Sequence, residues 1–140
     1  MQKIEIIQTF NKPLEKVFTD LSDHATYGRI LGVNIKRIKD SKDTDKNGLG
    51  SVRFIKSYPV PPFEETIVAF EPNILIAYEI SKGSPIKNHR GELHFSVEGE
   101  SSTLVYTIRF EPKVNFPMWG ALLKSLIEKP IRKGLKIYAE

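Results

Sequence analysis

The sequence predicts an α+β domain: one curved, antiparallel sheet of seven strands wrapped around a long C-terminal helix, with two short helices after the first strand. Three observations lead there. The 140 residues suit a single domain spanning 1–140, and a chain of that size buries a core without staples. Most strand signals follow one another with no helix between them, which argues against parallel βαβ units. The only long helical stripe comes last, and it alone is large enough to cover the apolar face of such a sheet.

Lys3 to Phe10 is rich in β-branched residues and reads as the first strand, stopped by Asn11-Lys12-Pro13. Pro13 suits a helix start, and Leu14, Val17, Phe18 and Leu21 follow on one helical face. Asp23 opens a second short helix holding Ala25, Tyr27, Ile30 and Leu31. Val33–Ile38 reads as a strand, and Asp40 to Gly48 as a solvated hairpin tip closed by Asn47-Gly48. Strands are then expected over Ser51–Tyr58, Phe63–Glu71, Ile74–Ser81, Asn88–Glu98 and Thr103–Glu111. Pro59 to Pro62, Pro72-Asn73, Gly83-Ser84-Pro85 and Gly99 separate them. From Phe116 to Tyr138 apolar residues recur at three- and four-residue spacing, with Pro130 inside. Proline removes a helical hydrogen bond, so a kink or a split into two helices is expected there, with Gly134 loosening the second part. Phe116, Met118 and Trp119 read as core or cavity wall.

The absence of cysteine excludes disulfides, thiolate nucleophiles and Cys-ligated metal. The net charge of +4 aids solubility and is weak grounds for nucleic acid. No apolar run reaches the roughly 18–20 residues of a membrane span, so no stable membrane insertion is expected. Glu5 and Gln8 interrupt the start before a signal segment forms, and the expectation is a cytoplasmic protein. No two of the three histidines are spaced as metal ligands on one helix turn or strand face, and no Gly-rich loop opens a helix. Neither a metal nor a cofactor is expected.

The order of elements and several motifs resemble the polyketide cyclase/dehydrase branch of the START-like superfamily, also called SRPBCC or birch-pollen-allergen-like. The motifs are Asn11-Lys12-Pro13-Leu14-Glu15-Lys16-Val17-Phe18 with Leu21-Ser22-Asp23, then Gly48-Leu49-Gly50-Ser51-Val52-Arg53 and Glu65-Thr66-Ile67. Glu71-Pro72 leads to Tyr78-Glu79-Ile80, and Gly83-Ser84-Pro85 to Asn88-His89-Arg90-Gly91. The chain departs from many relatives at Tyr27-Gly28-Arg29-Ile30, where they place a tryptophan. The resemblance implies a helix-grip fold with a cavity between sheet and last helix. It implies a hydrophobic or amphipathic ligand, lipid- or polyketide-like, or else cyclisation and dehydration chemistry in that cavity.

Strand alternation assigns faces. His89, Gly91, Leu93, Phe95 and Val97 share the inner face of their strand, as do Leu104, Tyr106, Ile108 and Phe110. Ile74, Ile76, Tyr78 and Ile80 form another inner set, while His94 falls outside. The fourth strand is ambiguous, and the family pattern favours Glu65 inside. Arg53 shares parity with Ile55, but Val52 and Phe54 argue for the opposite face. Aromatic rings on the core face leave no open stacking sheet, so nucleic acid is not expected as a partner.

His89 and Glu65 are the candidate acid–base pair. The candidate ligand-binding residues are Arg53, Phe63, Ile67, Tyr78, Phe95, Tyr106, Trp119, Leu122, Leu123 and Leu126. The competing reading has His89 and the tyrosines hydrogen-bonded at the cavity rim and Glu65 paired with Arg53. A third treats the basic last helix, with Lys129, Arg132 and Lys133, as a protein-interaction stripe like that of chaperone-activating relatives. The partner set is a hydrophobic small molecule, with a homodimer left open.

Overall fold

The computed structural model describes residues 1–140. Its β-branched runs form seven strands in one antiparallel sheet. β2 (Asn34–Lys39), β3 (Val52–Ser57), β4 (Val60–Glu71), β5 (Leu75–Lys82), β6 (Ile86–Glu98) and β7 (Ser101–Pro112) lie side by side in chain order. β1 (Gln2–Phe10) adds beyond β7, so β1 and β2 form the two edges. The chain crosses from one edge to the other through α1 (Leu14–Ser22) and α2 (His24–Leu31). Register shifts interrupt the β2–β3, β3–β4, β4–β5 and β6–β7 ladders, and such bulges bend and twist a sheet.

α1 turns Val17, Phe18 and Leu21 inward. Phe18 meets the Phe95 ring edge-on at 5.0 Å and Phe70 at 5.4 Å, covering that end of the sheet. Asp23 caps α2 by accepting from the Thr26 backbone N–H. The expected solvated tip between β2 and β3 is exposed over Lys42–Lys46. Its Asn47 turns back, and Oδ1 accepts from the His24 backbone and from Arg37.

α3 (Trp119–Ala139) is one helix of 21 residues and runs through Pro130 unbroken. It packs chiefly against β1, β7 and α2. Gly134 makes the closest approach, because a Cβ there would lie 2.2 Å from the Ile30 carbonyl oxygen. That glycine fastens the helix instead of loosening it. Polar contacts hold the same half: Arg132 donates to the Glu5 carbonyl and Lys12 to the Tyr138 carbonyl. Tyr138 donates to Asp20 at 2.7 Å.

Three expectations change. β4 resumes at Val60, not Phe63, because Pro61 and Pro62 fall where its register with β3 is interrupted and before pairing with β5 begins. Val97 and Ile74 are exposed in spite of their parity. Phe95 is the last covered residue of its face, and Ile74 lies in the turn before β5, donating to the Glu71 carbonyl. α3 begins at Trp119, leaving Phe116 and Met118 in solvent outside the core.

Gly134→Ala separates two opposing effects. Alanine favours a helix interior by up to about 1 kcal/mol over glycine, while overpacking costs about 1–3 kcal/mol. Urea unfolding should show a net loss, because the obstructing atom is backbone that cannot rotate away.

Candidate functional site

Between α3 and the inner face of β3–β7 lies a cavity of about 110 Å³. α3 supplies Leu123, Leu126, Ile127, Pro130 and Ile131, and the sheet supplies Ile55, Val60, Phe63, Glu65, Tyr78, Ile80, Ile86, His89 and Ile108. Tyr27, Leu31, Val33 and Ile35 close the α2 side. The wall is mainly apolar; Glu65, His89, Tyr27 and Tyr78 form its main polar edge, and Ser57 and Ser84 are the other polar lining residues.

That edge is built on Arg53. Arg53 faces inward with Ile55, and it is Val52 and Phe54 that take the outer face. β3 pairs Arg53 with Glu65 directly across the ladder. The guanidinium donates from Nε to Oε1 of Glu65 at 2.8 Å, and its Nη2 stands 2.7 Å from the same oxygen. Neither contact uses Oε2, and Glu65 lines the cavity. Burial raises the carboxyl pKa, and the Arg53 charge and hydrogen bond oppose the rise. Arginine cannot shed its proton, so a buried guanidinium needs this carboxylate as its anion. Burial is the largest single influence on the Arg53 pKa and lowers it, but Glu65 together with Tyr27, Tyr78 and Tyr106 outweighs it, so the pKa is raised.

Two aromatic faces complete the setting. The guanidinium carbon lies 4.8 Å from the Tyr27 ring centre and 4.7 Å from that of Tyr78, within cation–π reach. Tyr78 can lie there because its cross-strand neighbour is Gly91. A Cβ at Gly91 would stand 2.2 Å from the Tyr78 ring.

The three phenols form a chain. The Tyr27 and Tyr106 hydroxyls are 2.5 Å apart, and the Tyr78 hydroxyl also bonds to Tyr106. Burial is the largest cause raising all three pKa values, so they stay neutral. Tyr106 is fully buried and has no other hydrogen-bonding side chain, so it accepts from one neighbour and donates to the other. That order leaves one terminal phenol, Tyr27 or Tyr78, whose proton is not used on Tyr106.

His89 is neutral as well. Burial, then the Arg53 charge, lowers its pKa to about 4. Its Nδ1 accepts from the Ile80 backbone N–H at 3.1 Å, which leaves the proton on Nε2. His89 is thus a donor at neutral pH and a poor base. His24, which sequence reasoning passed over, is buried beside Arg53 and has its pKa lowered to about 3, first by burial and then by Arg53 and Arg37. Its Nε2 lies 3.4 Å from Ser51 Oγ, and its Nδ1 has no partner.

Of the residues expected from sequence, His89, Glu65, Phe63, Tyr78, Leu123 and Leu126 line the cavity. Arg53 and Tyr106 stand behind its wall, acting through Glu65 and Tyr78. Ile67 is fully buried core, and Phe95 packs on Phe18. Trp119, one turn before Leu123 on the same α3 stripe, packs against the core outside the cavity, and Leu122 falls off that stripe and faces solvent. Tyr27 was missed as a wall residue. Its signal was the α2 stripe of Tyr27, Ile30 and Leu31.

Two predictions test this electrostatic arrangement. Glu65→Gln strands the Arg53 charge and should cost about 3–5 kcal/mol in urea unfolding. Replacing both partners, Arg53→Met with Glu65→Leu, should recover most of that loss. The second concerns pH. Both His24 and His89 stay neutral in the folded chain, whereas an unfolded histidine protonates near 6.5. The unfolded state then binds more protons, so stability should fall as pH drops from about 6.5 toward 4, by about 1 kcal/mol per unit for each histidine. Urea unfolding at pH 7 and pH 5 should show this, and His24→Gln should reduce the slope by about half.

The sequence matches the family described as polyketide cyclase / dehydrase and lipid transport over residues 1–140. No curated protein matches closely enough to serve as a relative. Among solved structures, the chain is similar to the Zhui aromatase/cyclase of Streptomyces sp. R1128, with a TM-score of 0.74, 16% identity, and 96% of this chain and 89% of that chain covered. The XoxI protein of Bacillus cereus gives a TM-score of 0.74 at 15% identity, over 99% of this chain and 94% of that one. Norcoclaurine synthase of Thalictrum flavum, in complex with dopamine and hydroxybenzaldehyde, gives 0.71 at 11% identity, over 98% and 85%. At such identities these likenesses speak for the fold. With the family match running from end to end, the chain belongs to the polyketide cyclase/dehydrase and lipid-transport family.

Proposed function

We propose that the protein binds a hydrophobic or amphipathic small molecule in the cavity between sheet and α3. The observation that carries this reading is a mainly apolar cavity whose main polar edge presents both an acceptor and donors. Glu65 Oε2 accepts, while His89 Nε2 and one tyrosine hydroxyl donate. Such a wall orients one polar end of a ligand and buries the rest.

The same chemistry favours binding over acid–base catalysis. A base is needed to form an enolate, and His89 has Nδ1 occupied and a pKa near 4. Glu65 is held by Arg53. The size of the cavity limits what fits without movement: an engineered cavity of about 150 Å³ takes benzene, and drug-sized pockets run from about 300 Å³. At 110 Å³ the closed form is smaller than either, so a ring or a short chain enters as α3 gives way.

Calorimetric titration with para-cresol as the probe should show saturable binding, with toluene weaker because it lacks the hydroxyl that reaches Glu65. Ile127→Trp fills the cavity and should abolish binding, while the exposed control Ile137→Ala should retain it. Binding that survives Ile127→Trp in a folded protein would refute this site.

A further inference from the structure

Three loops meet at the end of the molecule beside Val60, Phe63, Ser84 and Pro85 of the cavity wall. The β5–β6 turn abuts the β3–β4 side, since a Cβ on Gly83 would lie 3.0 Å from the Pro62 carbonyl oxygen. The Lys113 backbone donates to the Pro85 carbonyl at 2.9 Å, which brings the β7–α3 segment alongside. Large apolar side chains stand in water here. Tyr58 is 98% exposed, Met118 83% and Phe116 65%, and Val114 is exposed too. Scattered exposed apolar residues are ordinary; several on one set of adjoining loops mark an interaction site.

The charge around them is predominantly positive. Lys56, Lys82, Lys87 and Lys113 are exposed. The two surface carboxylates of these loops, Glu64 and Glu111, are half-buried and engaged by Lys82 and Asn88. Met118 adds a backbone observation. It precedes α3 in the left-handed conformation, φ 62°, and offers no side-chain cap. A non-glycine residue rarely adopts that conformation without a constraint or a use.

We propose that this end of the molecule is a peripheral docking surface for an anionic lipid bilayer. Phe116, Met118 and Val114 enter the boundary between headgroups and acyl chains, and Lys87 and Lys113 meet the lipid charges. The arrangement fits that occupant because projecting loop tips suit a soft, penetrable surface, and the surrounding lysines complement its negative potential. The inference goes beyond the cavity reading and does not depend on it. Docking sets the cavity end and the start of α3 against the bilayer.

Flotation with vesicles of phosphatidylcholine, with and without phosphatidylglycerol, tests it. The protein should float with the anionic vesicles and at least tenfold less with neutral ones, and high salt should weaken flotation. Phe116→Ser with Met118→Ser, and separately Lys87→Glu with Lys113→Glu, should each lower partitioning about tenfold. Para-cresol titration without vesicles monitors the cavity independently, so failure of either reading can be told from failure of the other. No flotation on anionic vesicles, or flotation indifferent to both double variants, would overturn docking. So would a dimer in sedimentation equilibrium that Phe116→Ser with Met118→Ser dissolves, since the patch would then belong to a second copy.

Discussion

A guanidinium that cannot lose its proton, placed in the interior at Arg53, sets the conditions for everything near it. It needs an anion, and β4 supplies Glu65 across the ladder. It gains from ring faces, which α2 and β5 supply as Tyr27 and Tyr78. Those two phenols converge on Tyr106 of β7. One charge therefore ties the crossing helix α2 to four strands of the sheet. A buried ion pair of this kind is weak grounds for stability by itself, because desolvation offsets the attraction. Its consequence is specificity of arrangement: each partner has one place to be.

The same charge decides the protonation of its neighbours. Burial disfavours the imidazolium at His24 and His89, and the nearby guanidinium disfavours it further. The three tyrosines remain phenols. The cavity edge is thus neutral apart from Glu65, whose charge Arg53 balances. Hydrogen bonding is the chemistry such an edge performs, and the tyrosine chain makes its donor adaptable. A ligand that accepts near Tyr27 or near Tyr78 can be served by turning the three hydroxyls, with no movement of heavy atoms.

Much of this was legible in the sequence, and the rest was hidden for identifiable reasons. Alternation assigned Leu104, Tyr106, Ile108 and Phe110 inward because polar residues separate them. On β3 alternation failed, since Val52 and Phe54 are as apolar as Ile55 and the one buried charge sits on the inner face. Only the cross-strand partner resolves that conflict, and register is not written in one strand. Val97 has the right parity and lies beyond the reach of the covering helix. Phe116 and Met118 extend the apolar content of α3 in sequence but lie before its first turn, where no sheet faces them. Gly134 read as a weak point because helix propensity is local, whereas its close approach to Ile30 is tertiary.

The anchoring of α3 bears on what the cavity admits. After Pro130 the helix is held by the Gly134 contact with Ile30 and by hydrogen bonds involving Glu5, Lys12 and Asp20. Before Pro130 it is held mainly by the apolar contacts of Leu123 and Ile127 with the cavity wall and by the close approach of Gly120 to the Gln2 side chain. Proline at the boundary removes the backbone bond that would stiffen the joint. Enlarging the cavity by swinging the first half outward breaks no anchoring hydrogen bond of the second half. It exchanges apolar contacts with the wall for apolar contacts with a ligand. That half begins at the uncapped Met118, on the segment that carries the exposed rings and lysines. A surface that engages those loops acts on the half of α3 that costs least to move.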